Sequence, residues 1–268
     1  MYPVLLQLGP LTIHTYGFMV ALGFISVVAV LRRLAPREGM NGDTVADLVF
    51  WCLLVGMLGA RVLYFITQPE ILARDPLAFF KLWEGGLVFF GGPLLAIPFL
   101  VFYTKKKGLP IWLTLDLMAV GTALAHMFGR LGCFGAGCCY GKLIESIFGV
   151  KFYSPLVDQA FRGIPLHPTQ LYEATSVFIL FLGLVWVLRN RKFDGQAALT
   201  YLIAYPVIRA IIEEFRGDLD RGTVLGGMLS TSQGISILVL VAAVGTWIYR
   251  VNAGARNTKK QSHKQSRA

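Results

Sequence analysis

Apolar residues run through this chain in long stretches, and polar residues punctuate them. A helix that crosses the hydrocarbon core of a bilayer needs about 20 mostly apolar residues. Seven stretches approach that length, at 11–34, 45–66, 87–103, 111–128, 170–188, 197–215 and 230–249. They predict an all-α integral membrane protein with seven transmembrane helices. The third stretch is short and contains Gly91, Gly92, Pro93 and Pro98. A kinked or partly re-entrant element is expected there, which lipid tolerates only where protein covers the freed backbone. Residues 130–168, between the fourth and fifth spans, carry Gly, Pro and aromatic residues without a long helical pattern. They predict an outer-face loop or head region, and long loops are where function concentrates. No internal repeat is visible, which speaks against a transporter built from repeated halves.

The basic residues orient these spans. Arg32, Arg33 and Arg37 follow the first, Lys105, Lys106 and Lys107 the third, and Arg189, Arg191 and Lys192 the fifth. Six more lie between Arg250 and Arg267. With seven spans all of these fall on one side, which the positive-inside rule makes cytoplasmic. The N-terminus is then outside, the C-terminus is cytoplasmic, and 68–85 and 130–168 face outward. The expected organisation is a single transmembrane domain over 1–250 and a basic, disordered cytoplasmic tail over 251–268 near anionic lipid. Residues 1–7 hold no Lys or Arg and no small-residue cleavage site follows the first apolar run, so that run reads as a retained span.

Composition agrees with a bilayer as the main solvent. Hydrophobic residues make up 55% of the chain and charged ones only 15%, against roughly 25% charged in soluble domains. The net charge of +10 sits between and after apolar segments, so it calls for no nucleic-acid partner.

Polar groups inside the spans carry the chemical information. An ionised side chain at mid-bilayer costs about 2.5–3.5 kcal/mol on insertion scales, and usually faces a cavity or a partner. Arg61, Asp116, His126, Arg130 and the run 209–216 stand out. Tyr205, Arg209, Glu213 and Arg216 fall at helical spacing, which places them on one face. Two readings fit: a salt-bridge ladder that fixes helix packing, or an anion site in which guanidinium forks meet phosphate oxygens. Arg130, flanked by Gly129 and Leu131-Gly132, is either a snorkelling interfacial arginine or a ligand contact that glycine lets the backbone approach. Arg61, Asp116 and His126 read mainly as packing or pairing groups. His167-Pro168 opens the fifth span with Glu173 in its first turns. That suits helix initiation, and equally a histidine and a carboxylate poised for acid–base chemistry.

Of the four cysteines, Cys133, Cys138 and Cys139 cluster in sequence, apart from Cys52. They fill small apolar-tolerant positions, or form a disulfide in an oxidising compartment, or serve redox or metal chemistry. Their spacing lacks the paired C-x-x-C of a zinc site and no His is close in sequence. No metal and no cofactor are expected.

Taken together, these segments resemble the bacterial prolipoprotein diacylglyceryl transferase family, in order along nearly the whole chain. Tyr16-Gly17 looks like the family's early Tyr-Gly, and Trp83-Glu84-Gly85-Gly86 with Gly91-Gly92 looks like its Gly-rich segment. Gly129-Arg130-Leu131-Gly132-Cys133-Phe134, then Gly137 and Gly141, looks like its signature. His167 to Glu173 is similar to its His-Pro-x-Gln-Leu-Tyr-Glu stretch, and Arg209, Glu213, Phe215 and Arg216, with Tyr205 a turn earlier, to its Arg-x-x-x-Glu-x-x-Arg helix.

The resemblance implies an enzyme of the bacterial cytoplasmic (inner) membrane. It would move the diacylglyceryl group of phosphatidylglycerol to the lipobox cysteine thiol of a preprolipoprotein, the first step of lipoprotein maturation. It implies Arg130 and Arg209 as the phosphate grip and Arg209, Glu213, Arg216, Tyr16, Tyr205 and His167 as catalytic candidates. Its partners would be phosphatidylglycerol, the preprolipoprotein signal peptide and membrane lipids. The chain departs from the family pattern where Cys133 and Ala136 replace Asn, Cys138 replaces Glu, and Phe90 replaces His. These departures keep open a diverged relative with another acceptor, or a membrane thiol–disulfide oxidoreductase using the three clustered cysteines.

Overall fold

The computed structural model describes residues 3–9, 11–81, 85–217, 223–224 and 229–265. Trp83 and Glu84 of the Gly-rich segment therefore lie outside the described residues. The described residues hold eight α-helices: α1 Thr15–Leu34, α2 Gly42–Thr67, α3 Pro69–Arg74, α4 Gly91–Lys106, α5 Ile111–Ala136, α6 Thr169–Arg189, α7 Gln196–Glu213 and α8 Thr231–Gln265. Among the described residues, four are long and apolar enough to cross a membrane, at Thr15–Glu38, Gly42–Thr67, Ile111–Ala136 and Thr169–Arg189. A shorter apolar stretch lies within α8, at Ser236–Asn252. The chain is thus a mostly helical membrane protein, and it divides into two compact units, Val28–Thr114 and Met1–Val27 with Leu115–Ala268.

In the unit Val28–Thr114, α2 packs along α4 at glycines. A Cβ placed on Gly59 would strike the Gly91 carbonyl, and one on Gly91 would strike the Gly59 backbone. Lipid tails give no hydrophobic drive for two helices to meet, so such close backbone contact is what holds them. α4 begins at Gly91, later than the sequence pattern suggests, and continues as helix through Pro98 to Lys106.

Arg61 has a role that its place near a span end does not suggest. It is buried in α2, and its guanidinium donates to the carbonyls of Ala78, Phe79, Lys81, Gly85 and Gly86. Its charge also lies over the Phe65 ring, 4.9 Å from the centroid. One side chain therefore ties the short 3-10 turn after α3 to the Gly85-Gly86 backbone, satisfying carbonyls of both. Asp75 begins that turn by accepting from the Leu77 amide, and the hydrogen bond from Lys81 holds its carboxyl below the ordinary carboxylate range. Arg61→Met is expected to strand several of these carbonyls. Charge-assisted hydrogen bonds contribute about 1.5–3 kcal/mol each. The variant should lower the unfolding temperature in detergent and expose Arg74 and Lys81 to trypsin.

The other unit opens with a hairpin of β1 Val4–Leu8 and β2 Leu11–His14. The first apolar run was expected to be helical from residue 11, but Leu11–His14 pair as a strand. Gly9 turns the chain at φ +58°, and β-branched Thr12 and Ile13 suit a pleated surface.

The fourth span is longer than its apolar pattern. α5 continues to Ala136, so Arg130 and Cys133 stand on the helix and the loop begins at Gly137. The glycines that suggested a loop instead let the helix pack closely. A Cβ on Gly132 would press on Tyr16 and Met19, and one on Gly135 on Thr15. Gly137, at φ +81°, ends the helix, with its amide and that of Cys138 both donating to the Cys133 carbonyl.

The segment that follows has a small core of its own. Phe152, Val157 and Leu166 are buried together, with Phe134, Tyr140, Val150 and Phe161 packed around them. Strands β3 Val150–Lys151 and β4 Pro165–Leu166 close it.

Helices α6, α7 and α8 then pack in succession. Asp116 is fully buried in α5 and accepts from the amides of Gly195 and Ala198 at 2.7 and 2.8 Å. It supplies the cap that the start of α7 lacks in its own sequence. α8 runs from Thr231 to Gln265.

A buried arginine–glutamate cluster as candidate active site

Glu173, in the first turns of α6, is the centre of the site. Its side chain is only 1% exposed, and an isolated carboxylate at that depth would be very costly. Its Oε1 is surrounded by donors: Arg130 Nη2 at 3.0 Å, Tyr205 Oη at 3.1 Å and His126 Nε2 at 3.2 Å. His126 and Arg130 reach it together because they stand one turn apart on α5. Nε2 of His126 lies 3.3 Å from Arg130 Nε as well. It can accept from the arginine or donate to the carboxylate, but one ring nitrogen does not do both at once.

A second pair adjoins this cluster. Arg209 Nη2 meets Glu213 Oε2 at 2.5 Å, one turn along α7, with side chains 11% and 12% exposed. Nη1 of Arg209 is buried and has no hydrogen-bond partner among the described residues. Arg209 lies in the electrostatic field of Glu173 and of Arg216. Two guanidinium groups, Arg130 and Arg209, thus meet two carboxylates, Glu173 and Glu213. Both arginines proposed as phosphate contacts are paired to carboxylates, and Arg209 keeps a donor to spare.

Arg216 is not on the face of α7 that its spacing suggested. The helix ends at Glu213, and Arg216 instead forms a β-bridge with Gly141. That bridge is part of a crossing of three motifs. The Gly141 amide donates to the His167 carbonyl, the Lys142 amide to the Phe215 carbonyl, and the His167 amide to the Lys142 carbonyl. Thr169 and Gln170 donate to the carbonyls of Cys139 and Cys138 at 2.8 and 2.7 Å. A Cβ at Gly141 would collide with the Phe215 carbonyl, with His167 and with Thr169. Gly141→Ala should therefore force the three segments apart, with a stability loss of about 1–3 kcal/mol and a larger loss of activity. Thermal unfolding and turnover measured on the same preparation check this.

His167 sits at this crossing. Its Nδ1 is 3.2 Å from Tyr172 Oη and its ring packs on Phe215. Tyr16, 47% exposed at the start of α1, lies along Gly132 and within electrostatic reach of Arg130.

The three clustered cysteines, like Cys52, are unbridged thiols. The sulfur atoms of Cys133, Cys138 and Cys139 lie within 4.8 Å of one another. Hydrogen bonds from Cys133 and Cys138, helped by the nearby Arg216 and Arg130, draw the Cys139 thiol well below its usual range. The same hydrogen bonding to Cys133 and Cys139, with burial, pushes Cys138 up.

Residues 3–249 match the family model described as prolipoprotein diacylglyceryl transferase. This chain belongs to that family. A phosphatidylglycerol–prolipoprotein diacylglyceryl transferase of Clostridium tetani is 36% identical to it, over 94% of this chain and 98% of the relative. A second enzyme of that name from Clostridium perfringens is 34% identical, over 93% and 94%. The one from Bordetella parapertussis is 32% identical, over 95% and 97%.

Within this diacylglyceryl transferase family member, Arg130 and Tyr205 contact Glu173 beside the Arg209–Glu213 pair, His167 and Arg216 belong to the crossing at Gly141, and Tyr16 lies along Gly132. Sequence reasoning read His126 mainly as a packing group and left Glu173 open between helix initiation and acid–base chemistry, although the two form the core of the cluster. The available signal was a histidine one turn before an intramembrane arginine, together with a carboxylate inside a span.

Proposed function

We propose that this chain transfers the diacylglyceryl group of phosphatidylglycerol to the lipobox cysteine thiol of preprolipoproteins. The observation that carries this reading is Arg209, buried in the site with Nη1 unpartnered among the described residues. A buried donor of that kind suits a ligand oxygen, and a guanidinium fork matches phosphate.

In the reaction, the acceptor sulfur attacks the glyceryl carbon that carries the phosphate ester. The S–C bond forms as the C–O bond breaks, and glycerol phosphate leaves with the electron pair. Negative charge grows on the phosphate, where fixed cations stabilise it with little reorganisation. Arg209 and Arg130 are the proposed grip, with Arg216 adding to the field. Glu213 orients Arg209, and Glu173 orients Arg130 with His126 and Tyr205. The acceptor thiol must lose its proton, and Glu213, His167 and Tyr16 are the side chains proposed to receive it.

The same reading puts the protein in the bacterial cytoplasmic membrane with seven spans. α4, α7 and the apolar part of α8 supply the three beyond the four long helices. The N-terminus is placed outside and the C-terminus in the cytoplasm, so that 137–168 meets the preprolipoprotein at the outer face while lipid enters sideways. Purified protein in phosphatidylglycerol vesicles, given a lipobox peptide, is expected to add a diacylglyceryl mass to the cysteine. If no thioether forms while a related transferase works in the same vesicles, the proposal fails. Complementation of a strain depleted of its own transferase provides the cellular counterpart.

A further inference from the structure

The thiol cluster is the feature that this mechanism leaves unused. Cys133 lies in the last turn of α5, one turn beyond Arg130, and Cys138 and Cys139 follow the helix stop at Gly137. Sequence spacing alone gave no zinc pattern, yet the fold brings all three sulfur atoms within 4.8 Å of one another. Tetrahedral zinc with Zn–S bonds of about 2.3 Å needs sulfur atoms roughly 3.8 Å apart, so a small contraction suffices.

The arrangement is also preorganised. Cys139 is the only non-glycine residue with positive φ among the described residues, at +63°. Such backbone costs of order 1–3 kcal/mol and persists only where the surroundings impose it. Here Thr169 and Gln170 hold the carbonyls of Cys139 and Cys138. The side chain of Cys139 is thereby turned to meet the other two. Each cysteine is partly exposed, so a ligand from solution can reach the cluster. Three thiolates and a divalent ion carry one negative charge, which Arg130 and Arg216 lie near enough to balance.

We propose that Cys133, Cys138 and Cys139 together bind one soft divalent cation of the zinc class, whose fourth position takes the acceptor thiol. The second half of this proposal rests on the transferase reading above; the first does not. Three protein ligands with an open fourth place are the pattern of catalytic zinc, and a thiol that coordinates such an ion is deprotonated. The acceptor S–H releases its proton to solvent on binding. The coordinated sulfur then forms the S–C bond as the C–O bond to phosphate breaks, and glycerol phosphate leaves. No oxidant or reductant is involved. The cation would thus take over the proton removal otherwise assigned to Glu213, His167 or Tyr16.

The test uses the full-length protein, reduced and stripped of metal in detergent, titrated with Co2+ and then with Zn2+. One Co2+ per chain is expected, with intense sulfur-to-metal charge-transfer absorption that Zn2+ abolishes. Cys133→Ser, Cys138→Ser and Cys139→Ser should each lose that absorption, whereas Cys52→Ser should keep it. Reduced, folded protein without the absorption, or with absorption that survives all three changes, overturns the site. A lipobox peptide should then alter the cobalt spectrum, and its Cys→Ser version should not. If Co2+ binds but the peptide leaves the spectrum unchanged, the acceptor role is overturned while the metal site and the transferase reading stand.

Discussion

Arg209→Ala is expected to lower diacylglyceryl transfer by about 100- to 1,000-fold, the usual loss when one preorganised donor to a developing oxyanion is removed. Phosphatidylglycerol should still partition into the same micelles or vesicles, so the loss should appear mainly in kcat. Stability should change less. The Glu213 side chain lies one turn away and 12% exposed, and it gains freedom to reorient when its partner is truncated. Arg209→Lys should also lose most of the turnover, because an ammonium presents a point charge where a planar fork is needed. Single-turnover formation of the thioether, beside a thermal melt, separates the two effects. If Arg209→Lys keeps most of the wild-type rate, the phosphate assignment is wrong.

Arg130→Ala is expected to damage both activity and fold. It removes the closest cation from Glu173, whose carboxylate is almost wholly enclosed. Breaking one side of a buried ion pair typically costs about 3–5 kcal/mol, since the remaining charge is left uncompensated. The double change Arg130→Ala with Glu173→Gln removes that stranded charge. It should recover much of the lost stability, and recover none of the activity if Arg130 contacts the lipid phosphate. Stability and turnover moving together in the double variant would make Arg130 a structural partner of Glu173 alone. Melting temperature and thioether yield on the four proteins of the cycle decide between these outcomes.

Much of this was legible in the chain itself, and the exceptions have physical causes. Apolar periodicity located α2, α6 and α7 to within a few residues, because their polar flanks are abrupt. It ended α5 too early, since Gly129, Gly132 and Gly135 look like loop residues until α1 is packed against two of them. It extended the first span too far, because strand and helix share the same apolar alphabet over four residues. Arginines inside spans announced a site. Which carboxylate each would meet depended on long-range packing: Arg130 pairs with Glu173 across helices, and Asp116 serves amides of another helix instead of a cation. Arg216 shows the limit of helical spacing, which holds only while the helix does. The thiols show the reverse case, in which spacing lacked the paired pattern of a zinc site and a left-handed residue helps to bring the three sulfur atoms together.

The crossing at Gly141 has a consequence for biogenesis. Its strands come from the end of α5, the start of α6 and the residues just past α7, so the first and last of them leave the ribosome far apart in time. Until the final one arrives, the Lys142 amide lacks its Phe215 acceptor and the crossing is held by the start of α6 alone. Maturation of the enzyme is therefore a late event, completed after most of the polypeptide has been inserted. A nascent chain halted before Phe215 should already be threaded through the bilayer yet remain catalytically silent.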